Sequence, residues 1–338
     1  MEKAKALVTG GAGFIGSHLT HALLERDYEV HVLDDLSGGF REHVDPRAYF
    51  IQGSITDSKL VKAVFAEGKF DYVFHLAAYA AEGLSHFIKK FNYENNLIGS
   101  VNLINAAINH GTKCFIFTSS IAVYGRNQVP MSEDMVPVPE DPYGIAKLAV
   151  EQELRVSHEM FGMDYIIFRP HNVYGEQQNI GDRYRNVLGI FMNQIMHDVP
   201  MTIFGDGEQT RAFTHIQDIV SVMADAPRNP RALNQVFNIG ADRPYTINAL
   251  AKMIASAMGV PMRVEYLPAR NEVKHAFSDH KKLQQTFDYT ASFPLEEGIA
   301  RMARWALSVG AKRSKLFEEV EIVKNMPPSW RAELSLVS

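Results

Sequence analysis

Short apolar runs alternate along the chain with longer stretches in which apolar residues recur every three or four positions. The runs at 6–8, 30–33, 49–52, 72–76, 114–118 and 164–169 read as buried strands. The stretches between them read as helices. One carries Leu19, Leu23 and Leu24; a second follows Asp57, which suits an N-cap, and carries Leu60, Val61, Val64 and Phe65. A third runs through Leu97, Val101, Leu103, Ile104 and Ala107, and a fourth carries Tyr143 and stops near Gly162. This βαβ series predicts an α/β protein on a doubly wound parallel sheet. After Arg169 the rhythm breaks. Residues 170–182 lack periodicity and read as a loop. Helices are predicted over 186–196, after a Thr246 cap, and over 295–309, with a strand at 236–239. We expect residues 1–170 to form the sheet domain and 171–312 a smaller α/β lobe, part of which returns to the sheet. Residues 313–338 form a charged tail that packs on its own chain or on a partner.

Composition narrows the class. The chain has 338 residues, 46% of them hydrophobic, which allows one large or two ordinary domains. A formal net charge of −5 does not suggest a nucleic-acid surface. Cys114 is the single cysteine, so neither an intrachain disulfide nor a cysteine metal site is expected. The sequence shows no apolar run of about 18 residues and no signal-peptide pattern. A cytoplasmic protein without a membrane span is expected.

The candidate chemistry starts at the first strand. Gly10, Gly13 and Gly16 make a G-x-x-G-x-x-G spacing where strand gives way to helix, with Phe14 and Ile15 between. Glycines let backbone approach a pyrophosphate, which then sits on the helix N-terminus. Asp34 ends the second strand about 20 residues later, where an acid bonds ribose hydroxyls. A carboxylate there favours NAD over NADP. Tyr143 and Lys147 are four apart and share a helix face. A nearby ammonium lowers a phenol's pKa, which makes Tyr143 a candidate proton acceptor and Lys147 its partner. A solvated helix face would show the same spacing. Ser120 lies just past the Cys114 strand, at the end that faces the cofactor crevice in such sheets; strand-end serines also bond local backbone.

Together the glycine turn, Asp34, the stretch Ser119-Ser120-Ile121-Ala122-Val123-Tyr124-Gly125 and the Tyr143/Lys147 pair resemble the extended short-chain dehydrogenase/reductase superfamily. Within it the pattern is most similar to NAD-dependent nucleotide-sugar epimerases and dehydratases, in particular the UDP-glucose/UDP-galactose 4-epimerase-like members. Arg169-Pro170-His171-Asn172-Val173-Tyr174-Gly175 resembles that group's substrate loop, and Ile203-Phe204-Gly205-Asp206-Gly207 with Arg211 its nucleotide segment. The resemblance implies a Rossmann NAD domain and a nucleotide-sugar lobe, with Ser120, Tyr143 and Lys147 catalytic. It implies cofactor contacts at Ser54, Ile55, Leu76, Ala77, Ala78 and Asn96. It implies substrate contacts at Asn172, Asn186, Val187, Thr202, Phe204, Arg211 and Arg270. No metal is implied, and a homodimer formed by the helices at 91–110 and 143–161 is.

Departures from the pattern carry information. Ser54 stands where the group often has an acid for the adenine amino group, Ala80 where some members have a lysine, and His171 where some have an aromatic. His171 reads more readily as a packed loop residue than as a substrate contact. Dehydratases resemble one another in carrying Asp-Glu at the positions held here by Ile121-Ala122. Two aliphatic side chains cannot transfer protons. The resemblance therefore implies epimerisation at C4, with a net nucleotide-sugar oxidoreductase or a non-catalytic dinucleotide sensor as alternatives. Ala276 aligns with the position that governs room for a 2-acetamido group; moving a single-residue gap would put Phe277 there instead.

Overall fold

The computed structural model describes residues 3–126, 128–269, 273–289, 291, 293–314, 317–328 and 330–331. Seven strands form one parallel sheet. From edge to edge the order is Gln235–Ile239, Asp164–Pro170, Cys114–Thr118, Tyr72–His75, Lys5–Thr9, Glu29–Asp34 and Tyr49–Gln52. The central strands are buried on both faces, which is why they read as unbroken apolar runs rather than alternations. One face packs Leu19 and Leu23 with Ile219 and Met223. The other packs Val61, Phe65, Leu103, Val150 and Leu154.

The strand Gln235–Ile239 comes from beyond residue 171 and pairs with Asp164–Pro170. Helix Ile216–Asp225 lies against helix Phe14–Leu24 on the same side. The rest of 171–312 has its own core, built from helices Val187–Met196, Ile247–Ala257 and Leu295–Val309. Two expected caps are present: the Asp57 carboxylate accepts from the Lys59 and Leu60 N–H groups, and the Thr246 hydroxyl from Ala249.

Two stretches differ from the expected pattern. The helix expected through Leu97 begins at Lys89 and contains a π-turn at Glu94–Ile98 before continuing as Gly99–Asn109. An extra residue in one turn shifts the apolar phase, so a 3.6-residue pattern fades there. The stretch 170–182 holds a short strand, Val173–Tyr174, parallel to Thr214–His215. Two residues are too few for a period to register. No helix among the described residues is long and apolar enough to cross a membrane.

Candidate active site

A cavity of about 550 Å³ opens along the carboxyl ends of the sheet and extends into the second lobe. That volume is within the range of small-molecule sites. Its first half is the glycine turn. Gly10 has φ +72°, and a Cβ there would lie 2.7 Å from the Ala77 nitrogen. A Cβ on Gly16 would lie 2.1 Å from the Gly10 carbonyl oxygen. Only glycine lets the three backbone segments close together, leaving the first turn of helix Phe14–Leu24 open toward the cavity. Asp34 is 8% exposed; its Oδ2 accepts from the Ala12 N–H at 3.0 Å and its Oδ1 from Leu36 at 2.8 Å. Burial raises its carboxyl pKa, and those N–H groups oppose the rise. This cradle suits a dinucleotide: backbone N–H groups for the diphosphate and a carboxylate at the strand end for ribose hydroxyls.

Phe14, Ile15, Ile55, Leu76, Ala77 and Ala78 line the same half. Two residues expected at the cofactor do not. The Ser54 hydroxyl turns to Thr56 at 2.9 Å, outside the wall. Asn96 is 1% exposed and holds the Tyr79 backbone instead: its Oδ1 accepts from Tyr79 N–H at 2.8 Å and its Nδ2 donates to Tyr79 O at 3.1 Å. It shapes the wall from behind.

The second part of the cavity is the start of helix Pro142–Phe161. Asp141 caps it, accepting from the Gly144 N–H at 2.9 Å; Pro142 occupies the first turn and Gly162, at φ +76°, ends it. These local signals place Tyr143 one turn before Lys147, facing the strand end. Lys147 Nζ donates to the Thr118 carbonyl at 2.7 Å and lies 5.7 Å from the Tyr143 ring. Ser120 Oγ accepts from the Ala122 N–H at 3.1 Å and acts on the Tyr143 phenol as a hydrogen-bonding neighbour. Ser120, Tyr143 and Lys147 therefore meet at one point of the wall.

The electrostatics differ from the expectation. Burial pushes the Tyr143 phenol well up, and the Ser120 hydrogen bond is the main influence against it. Burial pulls Lys147 itself down to about 7, with Glu151 opposing. An unfolded lysine titrates at roughly 10.4. Between about 7 and that value the unfolded chain holds a proton the folded chain has released. The stability of protein prepared without NAD should therefore rise with pH across that window, while below it the burial penalty is fully present. Thermal melts across the window should show this slope in the wild type and a flatter one in Lys147→Met.

The third part belongs to the second lobe. Asn172, Asn186, Val187, Thr202, Phe204 and Arg211 all line it. Asn172 has φ +40°, and its Nδ2 donates to the Ala212 carbonyl at 3.1 Å. The Arg211 guanidinium donates to the carbonyls of Thr210, Val273 and Lys274, which fixes the fork beside the cavity. The Asn186 side chain caps helix Val187–Met196 and also bonds the Val173 carbonyl, so it shapes the turn. Arg270 lies outside the described residues.

Two contacts near the site, Glu151 with Arg169 and His171 with His280, are absent from the sequence reading. Glu151 is one turn beyond Lys147; it accepts from Ser119 Oγ at 2.5 Å and from Arg169 through both guanidinium branches, Nε at 2.9 Å and Nη2 at 2.5 Å. Arg169 also donates to Tyr124 Oη at 2.7 Å, and Tyr124 to Asn238 at 2.8 Å. This buried network lies one helical turn beyond Lys147, beneath the cavity wall. The i+4 spacing of Lys147 and Glu151 was the available signal. His171 is 2% exposed, a packed residue of the cavity wall, with Nδ1 3.1 Å from the Ala212 carbonyl and Nε2 3.1 Å from His280 Nε2. The far side of His280 meets Asp242 at 2.6 Å. No local pattern connects residues so distant in the chain.

A family model described as the NAD dependent epimerase/dehydratase family matches residues 6–240. The UDP-glucose 4-epimerase of Mycolicibacterium smegmatis is 33% identical over 305 residues, covering 88% of this chain and 96% of that one. The crystal structure of a UDP-glucose 4-epimerase from Thermotoga maritima with UDP-glucose superimposes at a TM-score of 0.87. It is 35% identical, and the match covers 90% of this chain and 99% of that one. A UDP-N-acetylglucosamine 4-epimerase from Methanobrevibacter ruminantium, in complex with UDP-N-acetylmuramic acid, gives 0.84 at 32% identity, covering 91% and 100%. With the glycine turn, Asp34 and the Ser120/Tyr143/Lys147 cluster converging on one cavity, these matches establish that the chain belongs to the NAD-dependent epimerase/dehydratase family.

Proposed function

We infer that the protein inverts C4 of a UDP-sugar, using NAD that stays bound through the cycle. One observation carries this reading. The Ser120/Tyr143/Lys147 cluster shares a cavity with the dinucleotide cradle, and the neighbouring positions Ile121 and Ala122 offer no carboxyl group for eliminating water. In the mechanism, Tyr143 takes the C4 hydroxyl proton and later returns it. Ser120 bonds the reacting oxygen throughout. Lys147 holds the strand end and bonds the nicotinamide ribose. NAD held by the glycine turn and Asp34 would supply the hydride acceptor for C4 and the donor for its return. The 4-keto sugar turns over between these steps, presenting its other face, while Asn172 and Arg211 anchor the diphosphate and Asn186, Val187, Thr202 and Phe204 enclose the nucleotide. Arginine suits this anchoring because its planar fork matches phosphate oxygens. Residues 1–170 then serve as the NAD domain and 171–312 as the nucleotide-sugar lobe. Carbohydrate biosynthesis in the cytoplasm is the setting such chemistry fits.

The test is a panel of UDP-sugars separated by chromatography, with absorbance read in parallel. C4 epimers should interconvert without net accumulation of reduced cofactor. Stoichiometric reduced cofactor would instead mark a net oxidoreductase.

Ala276 lines the cavity, and its neighbour Phe277 is not among the lining residues. Its small side chain supports acceptance of 2-acetamido sugars. Ala276→Tyr would place a phenol in that space, where overlap costs about 1–3 kcal/mol. Activity on a 2-acetamido substrate should fall much more than on the plain hexose, read as the ratio of kcat/KM values. Equal losses would remove Ala276 from the sugar site.

A homodimer fits the exposed apolar side chains on two neighbouring helices. Ile98 is 52% exposed, and Ile145, Val156 and Met160 repeat along one face of Pro142–Phe161 at 43%, 49% and 70%. Two copies of this face form a self-complementary contact across a two-fold axis. Light scattering at micromolar concentration should give about twice the chain mass; a monomer mass would remove the dimer.

A further inference from the structure

The chain does not stop at its last long helix. Lys312 is tied to Asn193, donating through its N–H and accepting through its carbonyl, both at 2.9 Å. Further on, the Phe317 ring sits 5.4 Å from Tyr79 and 4.9 Å from Phe91. The N–H groups of Glu321 and Ile322 both donate to the Phe87 carbonyl, at 2.9 and 3.1 Å. The Glu321 carboxylate accepts from the Lys90 and Phe91 N–H groups at 2.8 and 2.9 Å. Helix Lys89–Tyr93 has no side-chain cap of its own at Ile88, so its first free N–H groups are satisfied from the far end of the chain. Met326 and Trp330 then cover Ala81, Leu84 and Ile88, and Trp330 meets Tyr184 edge-on at 5.1 Å.

The covered segment is a wall of the cavity. Tyr79, Glu82, Gly83, His86 and Phe91 line it, as does Tyr184, while no described residue beyond 309 does. The wall also reaches the catalytic helix: Asn92 Nδ2 donates to the Pro142 carbonyl at 2.9 Å, beside Tyr143. The apolar side chains of 81–88 cluster with Phe317, Val320, Met326 and Trp330, together with Tyr79, Phe91 and Tyr184. Ala12, Phe14 and Ile15 of the glycine turn belong to a different apolar cluster.

We propose that the C-terminal segment is an intrachain strap for the sugar end of the site, with Phe317, Glu321 and Trp330 as positioning residues that hold the 79–91 wall against the substrate. This rests on the nucleotide-sugar reading. The strap governs substrate binding through the wall, and NAD binding is independent of it.

The test uses the full-length protein, a chain ended after Arg313, Trp330→Ala, Trp330→Phe and Glu321→Gln. Each is measured for retained NAD and for kcat and KM on a UDP-sugar the wild type turns over. The shortened chain and Trp330→Ala should raise KM about tenfold or more, the scale of a displaced binding wall, with kcat within about threefold and NAD content unchanged. Trp330→Phe should restore most of the affinity and Glu321→Gln should lose part of it. In a Trp305→Phe background, Trp330 is the remaining tryptophan. Its emission should respond to a UDP-sugar more than to UDP. An unchanged KM in the shortened chain overturns the strap, as does a parallel loss of NAD, which would mark general destabilisation. A wild type that turns over no UDP-sugar overturns the functional reading, and the proposal falls with it.

Discussion

Replacing Tyr143 with phenylalanine should lower turnover by roughly 10²-fold or more while NAD stays bound, the scale of a positioned acid/base. The ring is buried at 8% exposure against the strand end, and phenylalanine keeps its shape and packing. What disappears is the hydroxyl to which the proposed mechanism assigns proton exchange with the sugar. Because burial holds that phenol well above its ordinary pKa, the proton is on Tyr143 in the resting protein. Substrate and cofactor must change its surroundings before it can act as a base. Ser120→Ala should therefore also slow the reaction, since it removes the main influence that opposes burial. The check is single-turnover kinetics with cofactor content measured on the same preparation. Near-wild-type turnover in Tyr143→Phe would remove the proton-transfer role assigned here.

Glu151→Leu should destabilise the fold by about 3–5 kcal/mol, the cost of leaving a buried charge without its partner. The Arg169 and Glu151 side chains are 5% and 4% exposed, joined through both guanidinium branches. Removing the carboxylate strands the guanidinium beneath the active site and frees the Ser119 hydroxyl. The double variant Glu151→Leu/Arg169→Met should recover much of the loss, because two apolar side chains replace a desolvated ion pair. Tyr124 keeps Asn238 as a partner in that variant. Urea denaturation midpoints of the wild type, the single variant and the double variant decide the matter. A single variant within 1 kcal/mol of wild type would show that water reaches Arg169.

The parts legible in the chain are those that covalent neighbours settle among themselves. Gly10, Gly13 and Gly16 must be glycines because the turn closes on its own backbone, and that constraint is local. Asp57 and Thr246 cap the helices that follow them through hydrogen bonds to residues two or three positions on. Tyr143 and Lys147 share a face because four residues make about one helical turn. Buried parallel strands announce themselves because both of their faces are apolar. Motif resemblance extended this reading to Asn172 and Arg211, which line the cavity, and to Ser54 and Asn96, which do not.

Tertiary structure decided the rest. Glu151 meets Arg169 only because their helix and strand pack side by side. His171 meets His280 across 109 positions, and Glu321 caps a helix 231 positions earlier. The titration of Tyr143 and Lys147 also depended on burial, which raises the phenol's pKa and lowers the ammonium's. Periodicity and spacing report what a residue does to its neighbours along the chain. Which distant groups share a low-dielectric interior is set by the closure of the whole fold, because charge energetics depend on distance in space and on exclusion of water.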